Sequence, residues 1–149
     1  MQAGEDVYSD TVTRNKKHGH WAAHFYDEVY RVNIELIWPV NNAQVKRYVE
    51  SEHKTEYTEE GEFGAKCIRI QRSDGAYVNI ICLTSWPAKP DATDHSFLTH
   101  EAFHATTHIL ARAGMPLEIF VSSEAYAFLL ESIVRRSLIL LDTKRRIAP

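Results

Sequence analysis

The sequence predicts an α+β domain in which a small β-sheet precedes two long helices. Residues 30–38 alternate apolar and polar side chains with a period of about two, which is typical of a strand with one buried face. Asp74-Gly75 separates two strand-like runs and indicates a type I′ hairpin turn. The last third of the chain looks helical, with one break at Gly114 and Pro116. Strands followed by helices in one small domain favour the α+β class.

Composition and charge are those of one ordinary domain. The chain has 149 residues, of which 44% are apolar, and a net charge of −3, so it can bury a core and shows no sign of general disorder or broad nucleic-acid binding. The basic run at 144–146 is interpreted as a solvated helix end or tail.

No apolar run approaches the ~20 residues of a membrane span. The first ten residues are polar and acidic and lack the apolar core of a signal peptide. If the chain is complete, we expect a cytoplasmic protein with no nucleic-acid or membrane partner.

Three segments are expected along the chain. Residues 1–28 are polar and rich in histidine, and are interpreted as an N-terminal tail followed by a short helix. Residues 29–141 form the single domain, and residues 142–149 form a basic C-terminal tail. His18, His20 and His24 lie in the first segment. They are expected to be solvated, because no cysteine or carboxylate cluster accompanies them.

The predicted sheet consists of one strand and one hairpin, with a short helix between them. Pro39 ends the strand at 30–38, Asn42 caps a helix that extends to Glu50, and the charged residues 51–64 form a loop. The hairpin strands are expected at 66–72 and 77–83.

A two-residue turn sets the register of this hairpin. It places Cys67 opposite Cys82 and Ile68 opposite Ile81. Counting from the turn makes the cysteines a hydrogen-bonded, widely spaced pair, in which a disulfide would be strained. We therefore expect two buried thiols.

Two helices are predicted in the C-terminal part. The first is capped by Asp94 or Ser96 and extends to Ala113. The second begins near Ser122 or Ser123 and extends to about 141.

The first of these helices contains the sequence His100-Glu101-Ala102-Phe103-His104, an H-E-x-x-H motif. Histidines four residues apart lie one above the other on a helix face, so both imidazoles can bind one metal ion. The glutamate between them can accept a proton from a water on that metal, which is the chemistry of a zinc hydrolase.

A catalytic zinc ion usually has three protein ligands, so one more is needed. Glu124 is the best candidate, because it opens the second helix and the turn at 114–116 can fold that helix back onto the first. Tyr126 and His108 are candidate donors to a reaction intermediate. Tyr126 is expected to face the core instead, since it lies about 200° around the helix from Glu124. His108 stays on the metal-facing stripe, and is either such a donor, a substitute ligand or an ordinary partly buried residue.

The motif, the turn and the downstream glutamate resemble the gluzincin branch of the zincin metallopeptidases. The resemblance covers roughly residues 77–135, and the same region is similar to small uncharacterised zincin-like proteins common in bacteriophage genomes. It implies a zincin-like fold, in which a small antiparallel or mixed sheet packs on the motif helix and on a second C-terminal helix, and an edge strand lines the cleft. It also implies that His100, His104 and Glu124 bind Zn²⁺ and that Glu101 is the general base.

The chain departs from the zincin pattern at several positions. Thr107 and Leu110 replace the glycine and histidine of a metzincin, which excludes that branch. Phe128 stands where the thermolysin-like group has an aspartate that supports the first histidine. Support for His100 is therefore expected from a backbone carbonyl or from Glu131.

The leading hypothesis is a zinc-dependent metallopeptidase that acts on a peptide or protein substrate. The first alternative is a zincin scaffold that binds a partner and keeps zinc as a structural element. The second is a metal-free helical interaction module.

Overall fold

The computed structural model describes residues 11–118 and 121–147, with side chains up to residue 143. In chain order the elements are β1 (Thr11–Asn15), β2 (His20–Asp27), β3 (Val32–Trp38), α1 (Asn42–Glu52), β4 (Ala65–Gln71), β5 (Tyr77–Leu83), α2 (Ala92–Arg112) and α3 (Ser123–Ile147). The α+β class is therefore confirmed.

The strands form one mixed sheet in the order β1-β2-β3-β5-β4. Three of the four strand pairs are antiparallel, and β3 pairs with β5 in parallel. A parallel pair needs a crossover, which α1 and β4 supply between β3 and β5. As a result β4, the strand before β5 in the chain, lies at an outer edge of the sheet.

Alternate side chains of a strand point to opposite faces of the sheet, and in this sheet both faces are covered by helices. Ile34 and Leu36 are fully buried in a core shared with α2 and α3. Ile37 and Ile80 are fully buried in a second core, which α1 closes with Val45 and other side chains. The helices thus form outer layers on the two sides of the sheet.

The N-terminal segment is a β-hairpin. Strands β1 and β2 pair antiparallel, and Trp21, Ala23 and Phe25 of β2 are buried in the α2–α3 core. The prediction of a tail and a short helix over 1–28 is therefore wrong for residues 11–27, while residues 1–10 lie outside the described part. Trp21, Ala23 and Phe25 do alternate with a period of two, but the histidines of this segment indicated a solvated tail.

The register of the β4–β5 hairpin differs from the prediction by one residue. The turn has three residues, because Gly75 N–H donates to Arg72 O at 3.0 Å while Arg72 N–H donates to Ala76 O at 2.8 Å. Gly75 has φ +86°, as the last residue of such a turn requires. Cys67 consequently lies opposite Ile81 rather than Cys82. Ile68 lies opposite Ile80, so both predicted cross-strand pairs were wrong.

The helix boundaries are partly as predicted. Asp91, rather than Asp94 or Ser96, caps α2, and its side chain accepts a hydrogen bond from Asp94 N–H. Helix α3 begins at Ser123 as predicted, but it continues to Ile147, so residues 142–147 are helical rather than a tail. None of the helices that the structure describes combines the length and apolarity needed to cross a bilayer.

The three-residue turn can be tested at Gly75. Replacing it by alanine should lower the free energy of unfolding by about 1 kcal/mol, because an L side chain resists a positive φ. A Cβ atom would meet nothing within 4 Å, so the effect is conformational and not steric. Gly75→Asn should lose less, since asparagine tolerates this conformation. Urea denaturation midpoints measure both changes, and equal stability of the alanine variant and the parent would contradict the turn geometry.

The two thiols should be unreactive in the folded protein. Burial, and then the nearby Glu101 carboxylate, raise the pKa of Cys67 to about 12. Burial raises the pKa of Cys82 well above its ordinary value. The thiolate is the reactive form, so Ellman's reagent at pH 8 should react at least about a hundredfold more slowly than in guanidinium. A cysteine that reacts equally fast in both conditions would show that the hairpin is open.

Candidate functional site

Helix α2 carries the H-E-x-x-H motif on its boundary between core and solvent. Its Leu98, Ala102, Ala105 and Ile109 are buried against the sheet, and the helix packs against β4 and β5. Because a helix turns about 100° per residue, this buried stripe leaves residues 100 and 104 on an exposed flank. The motif therefore faces solvent along one side of the edge strand β4.

The two motif histidines present their Nε2 atoms to each other. His100 Nε2 and His104 Nε2 lie 3.2 Å apart, and the ring centroids are 4.8 Å apart. Two imidazole ligands at ~2.05 Å from one zinc ion would have this separation at a ligand–metal–ligand angle of about 100°, close to tetrahedral. The pair thus has the spacing of two ligands of one metal ion.

Glu101 is directed inward between these histidines. It is only 6% exposed and lies close to β4, where a hydrogen bond from the Cys67 backbone reaches its carboxylate. Burial raises the pKa of Glu101, and the two histidines and that hydrogen bond oppose the shift. Glu101 is thus a buried carboxylate next to two exposed histidines.

Glu124 is not brought to this pair. It lies in the first turn of α3 and is exposed. Tyr126 is buried, so Glu124, about 200° away around the helix, lies on the solvent side. In the described residues no three His, Cys, Asp or Glu side chains form a group that could hold one metal ion.

His108 continues the stripe of His100 and His104. Its ring stacks at 6.4 Å from that of His104, and its Nδ1 lies 3.2 Å from Asn79 Oδ1 on β5. Burial, and then the charges of Arg69 and His104, lower the pKa of His108. This imidazole is thus positioned by the sheet and lies beside the pair.

Tyr126 occupies the core, as expected. It is 6% exposed, and its hydroxyl donates to Met115 O at 3.0 Å. That hydroxyl is therefore engaged in the turn before α3, and Tyr126 is not a donor at the histidine pair.

Two features of the site were missed in the sequence. Asn79 is fully buried within β5, and a single polar residue in the apolar run 77–83 was the available signal. The approach of the Cys67 backbone to Glu101 was concealed by the wrong register. Glu131 is exposed and makes no hydrogen bond to His100, so the expected support for that histidine is not provided by its side chain.

The residues present fit zinc in part. Two imidazole nitrogens have the spacing of zinc ligands and a buried carboxylate lies beside them, which is the donor chemistry of a catalytic site. The third protein ligand is not in place among the described residues.

No protein-family model, no curated protein and no solved structure matches this chain. Its function is therefore inferred from the geometry of the described residues.

Proposed function

We propose that the protein is a zinc-dependent hydrolase of the zincin type, most simply a metallopeptidase acting on a peptide or protein. The observation that carries this proposal is the 3.2 Å approach of His100 Nε2 and His104 Nε2 beside the buried Glu101. The same approach is also that of a hydrogen bond between the two imidazoles, so zinc titration is the direct test of the proposal.

In this proposal His100 and His104 hold the metal, and Glu124 is the third ligand. Glu124 is exposed in the first turn of α3, so its participation requires a local rearrangement of that turn. No acidic side chain in the described residues, Glu124 included, forms a three-residue metal-binding group with the pair.

The chemistry then divides among the residues of the site. His100 and His104 would hold the zinc ion, which would lower the pKa of a coordinated water toward ~7. Glu101 accepts the proton of the attacking water and later delivers it to the leaving amine. Because its Nδ1–H is donated to Asn79 Oδ1, His108 can give a second hydrogen bond, to the oxygen of the substrate carbonyl, only in its protonated form.

The alternative is a binding protein that keeps zinc as a structural element. It is favoured by the large apolar side chains that are exposed on α2 and α3. Phe97 is 44% exposed, Phe103 is 41% exposed, and Phe128 is 67% exposed on the helix face that also carries Glu124.

Zinc binding is tested by calorimetry on metal-free protein. His100→Ala and His104→Ala should each weaken zinc affinity at least about a hundredfold, because one of few ligands is lost. Glu124→Gln should weaken it at least about tenfold if that residue is the third ligand. His95→Ala is the matched control, since this exposed histidine of α2 lies near Trp86 and outside the pair. Equal affinity in His104→Ala and His95→Ala would exclude the proposed metal site.

Hydrolysis is tested by Glu101→Gln in the zinc-loaded protein. The variant should retain zinc and lose about 10²- to 10⁴-fold of the peptidase rate on a fluorogenic peptide library, because only the proton acceptor is removed. Glu131→Gln, an exposed glutamate on α3, controls for the loss of charge. Undiminished hydrolysis in Glu101→Gln would refute the general-base role, and absence of hydrolysis in the zinc-loaded parent would favour the binding-protein alternative.

A further inference from the structure

A cavity of about 470 Å³ lies on the face of the sheet away from α2. Glu35 of β3 lines it. Since the neighbours Ile34 and Leu36 point into the α2–α3 core, Glu35 points to the other face. Strands β1 to β3 form the floor of the cavity, and the C-terminal end of α1 forms one wall with Tyr48 and His53.

His20 is the residue in this cavity that most needs explanation. It is 1% exposed, and neither ring nitrogen has a hydrogen-bond partner. Its ring contacts that of Tyr48 edge-on at 5.6 Å. A buried polar atom without a partner costs free energy, so an imidazole with two such atoms lining a cavity indicates a ligand that supplies them.

The wall of the cavity carries a hydrogen-bonded network centred on Glu35. Its Oε1 accepts from the Tyr48 hydroxyl at 2.6 Å and lies 2.9 Å from His53 Nε2. A neutral His53 that donates from Nε2 leaves Nδ1 as an acceptor, and this buried Nδ1 has no partner. The network therefore presents an acceptor, beside a carboxylate that is only 13% exposed.

Two carboxylates, Glu35 and Glu52, and two guanidiniums, Arg14 and Arg72, line the cavity. Glu52 joins Glu35 in the lining, and in the described residues neither carboxylate forms an ion pair with a lysine or arginine. The lining guanidiniums have other contacts. Arg72 pairs with Asp74 at 3.2 Å, and Arg14 lies over the Trp21 ring at 5.8 Å. In the lining, the carboxylates without a lysine or arginine partner therefore outnumber the guanidiniums without a contact of their own.

We infer that this cavity binds a small organic cation with N–H donors, an alkylammonium or alkylguanidinium group. The cation would donate to Glu35, to Nδ1 of His53 and to the one ring nitrogen of His20 that carries no hydrogen, while Glu52 adds charge at the rim. A bare metal ion fits less well, because no three ligating side chains among the described residues converge on one point. This inference is independent of the zinc proposal, since the two sites lie on opposite faces of the sheet.

The experiment is a titration of the metal-free full chain with n-butylguanidinium and n-butylammonium, observed through the imidazole ¹⁵N resonances. Either or both cations should shift the His20 and His53 signals saturably, while butyrate and n-butanol, which match them in size, should not. Glu35→Gln should weaken binding at least about tenfold, as expected when a charge-assisted hydrogen bond becomes neutral.

Two further variants keep the test decisive if Glu35→Gln fails to fold. Glu52→Gln changes an exposed side chain of the cavity and should weaken binding several-fold, about three- to tenfold. Glu50→Gln is the matched control on the same helix, because Glu50 pairs with Lys46 and lies outside the cavity lining. The affinity of this variant for the cations should equal that of the parent.

The inference is overturned if neither cation shifts the two histidines, which would leave ordered water as their partner. It is also overturned if butyrate binds equally well, if Glu50→Gln and Glu52→Gln behave alike, or if Zn²⁺ alone produces the shifts.

Discussion

The structure depends on the burial of β3 on both faces and along both edges. β3 pairs with β2 on one side and with β5 on the other, and Ile34, Leu36 and Ile37 are fully buried. A strand enclosed in this way can carry a polar side chain only where that side chain finds partners. Glu35 is such a residue, which is why the network of Tyr48 and His53 forms around it. The same strand thus separates the molecule into two cores with chemically different sites.

On the other face, the position of the motif follows from the packing of α2. Ala102 and Ala105 are fully buried, and their small side chains let the helix approach the sheet closely. Burial of this stripe directs Glu101 toward the Cys67 backbone of β4 and leaves His100 and His104 at the surface. The arrangement of Glu101 and the two histidines therefore arises from helix periodicity and close packing.

Much of this fold could be predicted from periodicity and turn chemistry, and the errors have physical causes. The strand β3 and the three helices have strong patterns and were located nearly correctly. The hairpin at 11–27 was missed because His20 and His24 interrupt its apolar residues, and burial of a histidine depends on partners distant in sequence. The β4–β5 register was missed because Ser73 belongs to the turn, which gives three residues instead of two. Glu101 and the histidine pair follow from local spacing, whereas the position of Glu124 depends on how α3 is rotated about its axis.

The rotation of α3 about its axis determines whether Glu124 can reach the histidine pair, and the energetic cost of changing that rotation can be bounded. Tyr126 fixes the first turns of α3 by its own burial and by its hydrogen bond to Met115 O. Giving up both would cost about 2–4.5 kcal/mol, from ~1.5–3 for an apolar side chain and ~0.5–1.5 for the hydrogen bond. The proposal that Glu124 is the third ligand therefore requires zinc binding to supply at least this free energy, because the burial of Tyr126 otherwise keeps Glu124 on the solvent side of α3.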